Sequence, residues 1–69
     1  MFVNVLVLLL LATVVACGGS AAYGHVSSGN DAYDGGQFDN ALTEYRLAAN
    51  LMPDDPSIAY DTGNALHRL

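Results

Sequence analysis

The chain has no tryptophan and no lysine, a single cysteine and only two basic side chains among its 69 residues. Without lysine, the positive charge rests on Arg46 and Arg68, against seven acids and a net charge of -5. A nucleic-acid binder needs basic side chains to displace counterions from phosphates, so DNA and RNA are excluded as partners. A polybasic contact with lipid headgroups is excluded on the same ground. The lone Cys17 has no second cysteine with which to form an intrachain disulfide. His25 and His67 lie too far apart in sequence to complete a zinc site with it. No metal and no cofactor are therefore expected. The length allows one small domain near the edge of stability.

The composition changes abruptly at Cys17, and all seven acids lie at or after Asp31. Residues 1–16 are almost wholly apolar. They are too few for a comfortable transmembrane helix of roughly 20 residues. They suit instead the apolar core of a secretory signal, which runs to about 7–15 residues and ends in small residues. Met1-Phe2-Val3-Asn4 lacks the basic residues that normally lead such a signal. Either the free amino terminus supplies that charge, or the true start lies upstream. Residues 17–21 read as a short flexible tether.

The remainder reads as all-α. Phe38, Ala41, Leu42, Tyr45, Ala48, Ala49 and Met52 recur at steps of three and four, the spacing of one helical face. Asp39, Asn40, Thr43, Glu44 and Arg46 occupy the opposite face. Leu51-Met52-Pro53 ends this helix, because proline cannot continue one. Asp55 is placed to cap the next helix and Pro56 suits its first turn. That helix is expected over Ser57–Leu69, with Ile58, Leu66 and Leu69 among its apolar residues. Gly35-Gly36 closes an earlier helix expected from about Ala21 to Asp34. Turns this short make neighbouring helices antiparallel.

The chain also repeats itself. Gly29-Asn30 recurs as Gly63-Asn64, an offset of 34 residues, which is the period of one helix-turn-helix repeat. Phe38, Ala41, Tyr45, Ala48 and Pro53 follow the first copy. Together these residues resemble the tetratricopeptide repeat (TPR): a small residue in the first helix, an aromatic opening the second, then alanine, aromatic, alanine and a closing proline. The resemblance covers residues 22–55 as one full repeat and residues 56–69 as the first helix of a second. The fold it implies is an antiparallel TPR hairpin plus one further helix, preceded by an apolar signal helix.

The packing sense of the pattern is direct. Gly29 and Gly63 would let helices approach closely, Ala41 and Ala48 would do the same from the partner helix, and Phe38 and Tyr45 would fill the space beside them. His25 and Ser28 stand where the family has bulky apolar residues, as do Ala59 and Thr62 in the second copy, and weaker packing is expected there. Repeat proteins need about three units for stability, so the chain is expected to be a fragment of a longer one, truncated in its second repeat. The other possibility is that the last helix caps a minimal three-helix unit.

Val14-Val15-Ala16-Cys17 resembles the lipobox of bacterial lipoproteins. That resemblance implies a thioether from Cys17 to diacylglycerol, cleavage before Cys17 and further acylation of the freed amine. Several acyl chains anchor stably where one is marginal. Two readings stand beside it. Val14 and Ala16 also satisfy the ordinary small-x-small rule for secretory cleavage at the same bond, and the apolar run could remain as an uncleaved anchor. Gly18 after Cys17 resembles signals sent to the outer membrane. The expected location is therefore the bacterial cell envelope, at the outer membrane facing the periplasm if two membranes are present.

In TPR proteins the first helix of each hairpin lines a concave groove. The resemblance thus implies that Val26, Asn30 and Asp34 face a groove from the first repeat, and Tyr60, Asn64 and Arg68 from the second. Asn30 and Asn64 offer both donors and an acceptor to a peptide backbone. Each of the six is equally readable as a solvated helix residue. TPR domains that grip a carboxylate tail use basic residues beside asparagine. Here Val26 and Asp34 replace them and Asp61 adds negative charge, so that ligand is disfavoured. Catalysis needs a nucleophile and base within reach. His25 and His67 have no evident partners in the sequence, and Ser27-Ser28-Gly29 lies inside a helix, not at a strand-to-helix elbow. The expected function is a non-catalytic, membrane-anchored scaffold for a protein or peptide partner. The alternative is a secreted or uncleaved-anchor remnant with no binding activity of its own.

Overall fold

The computed structural model describes residues 19–69. The apolar segment 1–16, the signal ending at Cys17 and Gly18 lie outside the described residues. Three helices and no strand are formed among those described. Helix α1 occupies residues 19–34, α2 spans Phe38–Leu51 and α3 spans Pro56–Arg68. The fold is all-α, a helix-turn-helix hairpin followed by one more helix.

Helix α1 is longer than the sequence reading allowed. Residues 19 and 20, assigned above to the tether, are helical. Ala22 is fully buried just beyond them, so the first turn is anchored by packing that composition alone does not reveal. The C-terminus of α1 follows the glycine pair. Gly36 takes φ +78, its N–H donates to the Tyr33 carbonyl at 3.0 Å, and the Gln37 N–H donates to the Ala32 carbonyl at 2.8 Å. This pair of bonds is the Schellman arrangement, which satisfies carbonyls that a helix end otherwise leaves open.

Helix α2 buries the face its periodicity marks out. Ala41, Leu42, Tyr45 and Ala48 are buried, and Phe38, Ala49 and Met52 are half-buried. Its end is closed by the Met52 N–H donating to the Ala48 carbonyl at 2.9 Å. Helix α3 begins at Pro56, with Asp55 as its cap. Asp55 Oδ1 accepts from the Ser57 N–H at 2.9 Å and from Ser57 Oγ at 2.6 Å. These bonds hold the Asp55 carboxyl below the usual aspartate range, the side-chain hydroxyl contributing most. His67 and Arg68 sit in the last turn of α3, where positive charge complements the helix dipole.

The core is a cluster of Ala41, Leu42, Tyr45 and Ala65, with Ala32 and Tyr33 packed against it. All three helices therefore contribute to one core. At one end of the molecule the Tyr33 and Phe38 rings meet edge to face, 5.1 Å between centroids. The Arg68 guanidinium lies 4.9 Å from the centroid of that same Phe38 ring. The C-terminal ends of α1 and α3 thus both reach the start of α2, so α1 and α3 run in the same direction and α2 runs against them.

Candidate functional site

Tyr45 links the core to the candidate site. Its ring is buried on the inner face of α2, and its hydroxyl donates to Asn30 Oδ1 of α1 at 2.7 Å. A buried tyrosine needs such a partner for its polar end. Burial raises the hydroxyl's pKa, and the nearby charges of Asp61 on α3 and Asp34 on α1 raise it further, with Tyr33 adding to the effect. The hydroxyl stays protonated and remains a donor. Tyr45 therefore marks a place where α1 and α3 bring Asn30, Asp34 and Asp61 around one polar point. Burial also raises the Asp61 pKa, and the charge of Asp55 raises it further.

The six residues assigned to the groove have distinct surroundings. Asn30, Asp34, Tyr60 and Arg68 are exposed, while Val26 and Asn64 are half-buried. Asn30 has its side-chain oxygen taken up by Tyr45, which leaves its amide N–H groups for a ligand. Arg68 stacks on Phe38, so its charge is held at one end of this surface. Tyr60 is 71% exposed.

The packing residues divide. Gly29 is buried, and a Cβ there would stand 2.5 Å from Tyr45 Cε1. Phe38, Ala41, Tyr45 and Ala48 line the inner face of α2, and Pro53 lies in the α2–α3 turn. Gly63 is exposed, and among the described residues a Cβ there would meet nothing within 4 Å. Helix α3 turns Ile58 and Ala65 inward, and Gly63 projects from nearly the opposite side. Leu66 and Leu69 likewise stay 49% and 68% exposed.

His25 is a correction. It had no evident partner in the sequence, but its Nδ1 lies 2.7 Å from Glu44 Oε2 across the α1–α2 hairpin. A polar pair stands where the family has a bulky apolar residue. Thr62, the comparable departure in α3, turns its hydroxyl onto the Ile58 carbonyl at 2.8 Å. Ser28 and Ala59 are exposed.

Among the described residues no group of three or more His, Cys, Asp or Glu side chains is arranged to hold a metal ion. No helix among them is long and apolar enough to cross a membrane. A shallow depression at the α2–α3 turn is lined by Met52, Pro53, Asp54, Asp55 and Pro56, at the far end of α2 from Phe38.

A helical hairpin with a glycine under an aromatic ring, followed by a helix parallel to its first, defines the class of helix-turn-helix repeat proteins. The TPR repeat family model matches residues 29–69, more than half of the chain, and the chain belongs to the tetratricopeptide repeat family. Residues 22–28, placed in the first repeat from the sequence, belong to α1 but lie before the matched span. No curated protein and no solved structure matches the chain. TPR repeats are in general non-catalytic modules of protein–protein interaction, and the partner of this scaffold is accordingly a protein.

Proposed function

We propose that this chain is a membrane-anchored TPR lipoprotein of the bacterial cell envelope, tethered through Cys17, whose α1 and α3 surfaces receive a neutral to basic peptide segment of a partner protein. The placement of Asp34 and Asp61 beside the Tyr45–Asn30 pair supports the choice of ligand. Around that point the exposed surface carries carboxylates, and its one cation, Arg68, is engaged with Phe38. A carboxylate tail would meet like charge there. A lysine-bearing segment would gain attraction, and the free N–H groups of Asn30 would meet its carbonyls. Val26, Tyr60 and Asn64 supply the apolar and amide contacts on either side. The apolar run ending in Val14-Val15-Ala16-Cys17 supports the anchor.

Titration of the full chain in detergent with lysine-bearing and acid-tailed peptides tests the ligand. The lysine peptides should bind in a salt-sensitive manner and Asp34→Asn should weaken them several-fold. Equal binding of acid-tailed peptides would overturn this choice of ligand. For the anchor, mass spectrometry of the protein expressed in a bacterium should show acyl chains that vanish in Cys17→Ser. A mature mass without acyl chains would exclude lipidation.

A further inference from the structure

Helix α1 is already formed at Gly19, two residues after Cys17. Two residues span at most about 7 Å, so the end of the molecule nearest Cys17 has little freedom to leave it. The packing of α1 on α2 says what that end carries. The Tyr45 ring lies on Gly29 and the two helices run antiparallel. Tyr23 and Leu51, equally far along their helices from that contact, therefore stand at one height. Both are exposed, at 57% and 46%. Leu47 lies one turn before Leu51 on the same side of α2 and is also exposed. At the same end Met52, Pro53 and Pro56 line the depression of the α2–α3 turn. No basic side chain except His67 occurs between Arg46 and Arg68, and the charged side chains of the turn are the carboxylates of Asp54 and Asp55.

We infer that this end of the helical bundle is seated on the membrane, with Tyr23, Leu51, Met52 and Pro53 in the headgroup layer of zwitterionic lipid. The inference rests on the reading of Cys17 as the lipid anchor. Even with α1 upright, the level of Tyr23 and Leu51 stands within about 13 Å of Cys17. The headgroup layer is roughly 5–8 Å deep, and a tilt of the bundle brings the apolar side chains into it. A tyrosine suits that layer, because its ring is apolar and its hydroxyl polar. The acyl chains hold the protein at the membrane, and the apolar end fixes how it stands there. Anionic lipid is disfavoured by the net charge of -5, whereas a zwitterionic headgroup offers an ammonium to Asp54. Helices stacked beside α3 would leave this surface open, because it is made of helix ends and not of a helix flank. Asp34 lies roughly 16 Å further along α1 than Tyr23, so the seating displays the acidic surface away from the lipid.

The chain has no tryptophan, so a single introduced one reports alone. The full chain carrying Tyr23→Trp, expressed in a bacterium, is reconstituted into vesicles of phosphatidylcholine and phosphatidylethanolamine. Its emission should shift to the blue and be quenched by lipids brominated near the headgroup. Leu69→Trp, also largely exposed but at the opposite end of the bundle, should keep the emission of a residue in water and be quenched several times less. Adding Leu51→Glu to Tyr23→Trp should remove most of the quenching, and Leu47→Glu part of it. Both leucines are exposed, so circular dichroism should show the helices retained. Equal quenching of the two tryptophans, or quenching that neither glutamate changes, would overturn the seating. A blue shift without quenching would assign this end to a protein contact and overturn it as well. Mass spectrometry of the same sample separates the two readings. Acylated protein without quenching would sink the seating alone, whereas a mature mass without acyl chains would sink the anchor and the seating with it.

Discussion

The Tyr45 ring lies so close over Gly29 that a methyl group on the glycine would stand 2.5 Å from Cε1 and 2.7 Å from Cδ1. Gly29 is the point where α1 and α2 come together, and the ring is held from both sides. Its face is fixed by the buried core and its hydroxyl by Asn30.

Gly29→Ala should therefore destabilise the protein, although alanine is the better helix former. The ring cannot retreat without breaking the Asn30 bond and disturbing Ala41 and Leu42. Overpacking of this kind costs about 1–3 kcal/mol, a large share of the stability of so small a domain. Thermal and urea unfolding followed by circular dichroism should show a lower midpoint. A midpoint equal to or above the parent's would mean that the ring has room to move.

The hydrogen bond to Asn30 can be isolated from the packing. Tyr45→Phe removes the hydroxyl and keeps the ring, while Asn30→Ala removes the acceptor. Each should cost about 0.5–1.5 kcal/mol. The double variant should cost little more than either single one, since both delete the same interaction. Strict additivity in that cycle would show that Tyr45 and Asn30 contribute independently.

How these features could be read from the sequence depends on their reach along the chain. The buried face of α2 was legible because its apolar residues repeat within one helix. The α1 terminus was legible because Gly35-Gly36 sits where a left-handed residue is needed, and the α3 start because Asp55-Pro56 is a local signal. Gly29 and Tyr45 were paired only through the resemblance to the repeat family. The contacts that sequence reading missed are long-range and polar. His25 and Glu44 lie 19 residues apart, and Arg68 reaches Phe38 from the far end of the chain. Periodicity reports that a face is small or apolar, but not whether a neighbour is present to use it. One signal for the Tyr45 contact was available: tyrosine on a fully buried face calls for a hydroxyl partner.

Gly36→Ala should be costly for a reason unlike that at Gly29. A Cβ at Gly36 meets nothing within 4 Å, but the residue holds φ +78. Alanine in that left-handed conformation is disfavoured by about 1 kcal/mol or more. The loss should appear as a lower unfolding midpoint with unchanged helix content in the folded state. Gly36→Asn should recover part of it, since asparagine tolerates this conformation better. Identical stabilities for the alanine and asparagine variants would argue that the Schellman turn is not held in the folded protein.

Two aspartates on the α3 segment should give stability opposite dependences on pH. Asp55 is held below the ordinary value of 3.8 by its bonds to Ser57. Its contribution is present above that value and is lost as pH falls through the lowered one. Asp61 is raised above 3.8 by burial and by the Asp55 charge. The folded state therefore holds its proton more tightly than the unfolded state does. Its contribution is fully present below 3.8 and is lost as pH rises through the raised value. At about pH 7 an ionised Asp61 is thus a liability, and Asp61→Asn should raise the unfolding midpoint there. The advantage should shrink as pH falls toward 3.8 and vanish below it, where the parent's Asp61 is already neutral. Asp55→Asn should lower the midpoint near neutrality and leave it almost unchanged in acid. An Asp61→Asn advantage of the same size at every pH would assign its effect to packing and not to charge. The raised Asp61 would then have no bearing on the acidic surface beside Tyr45.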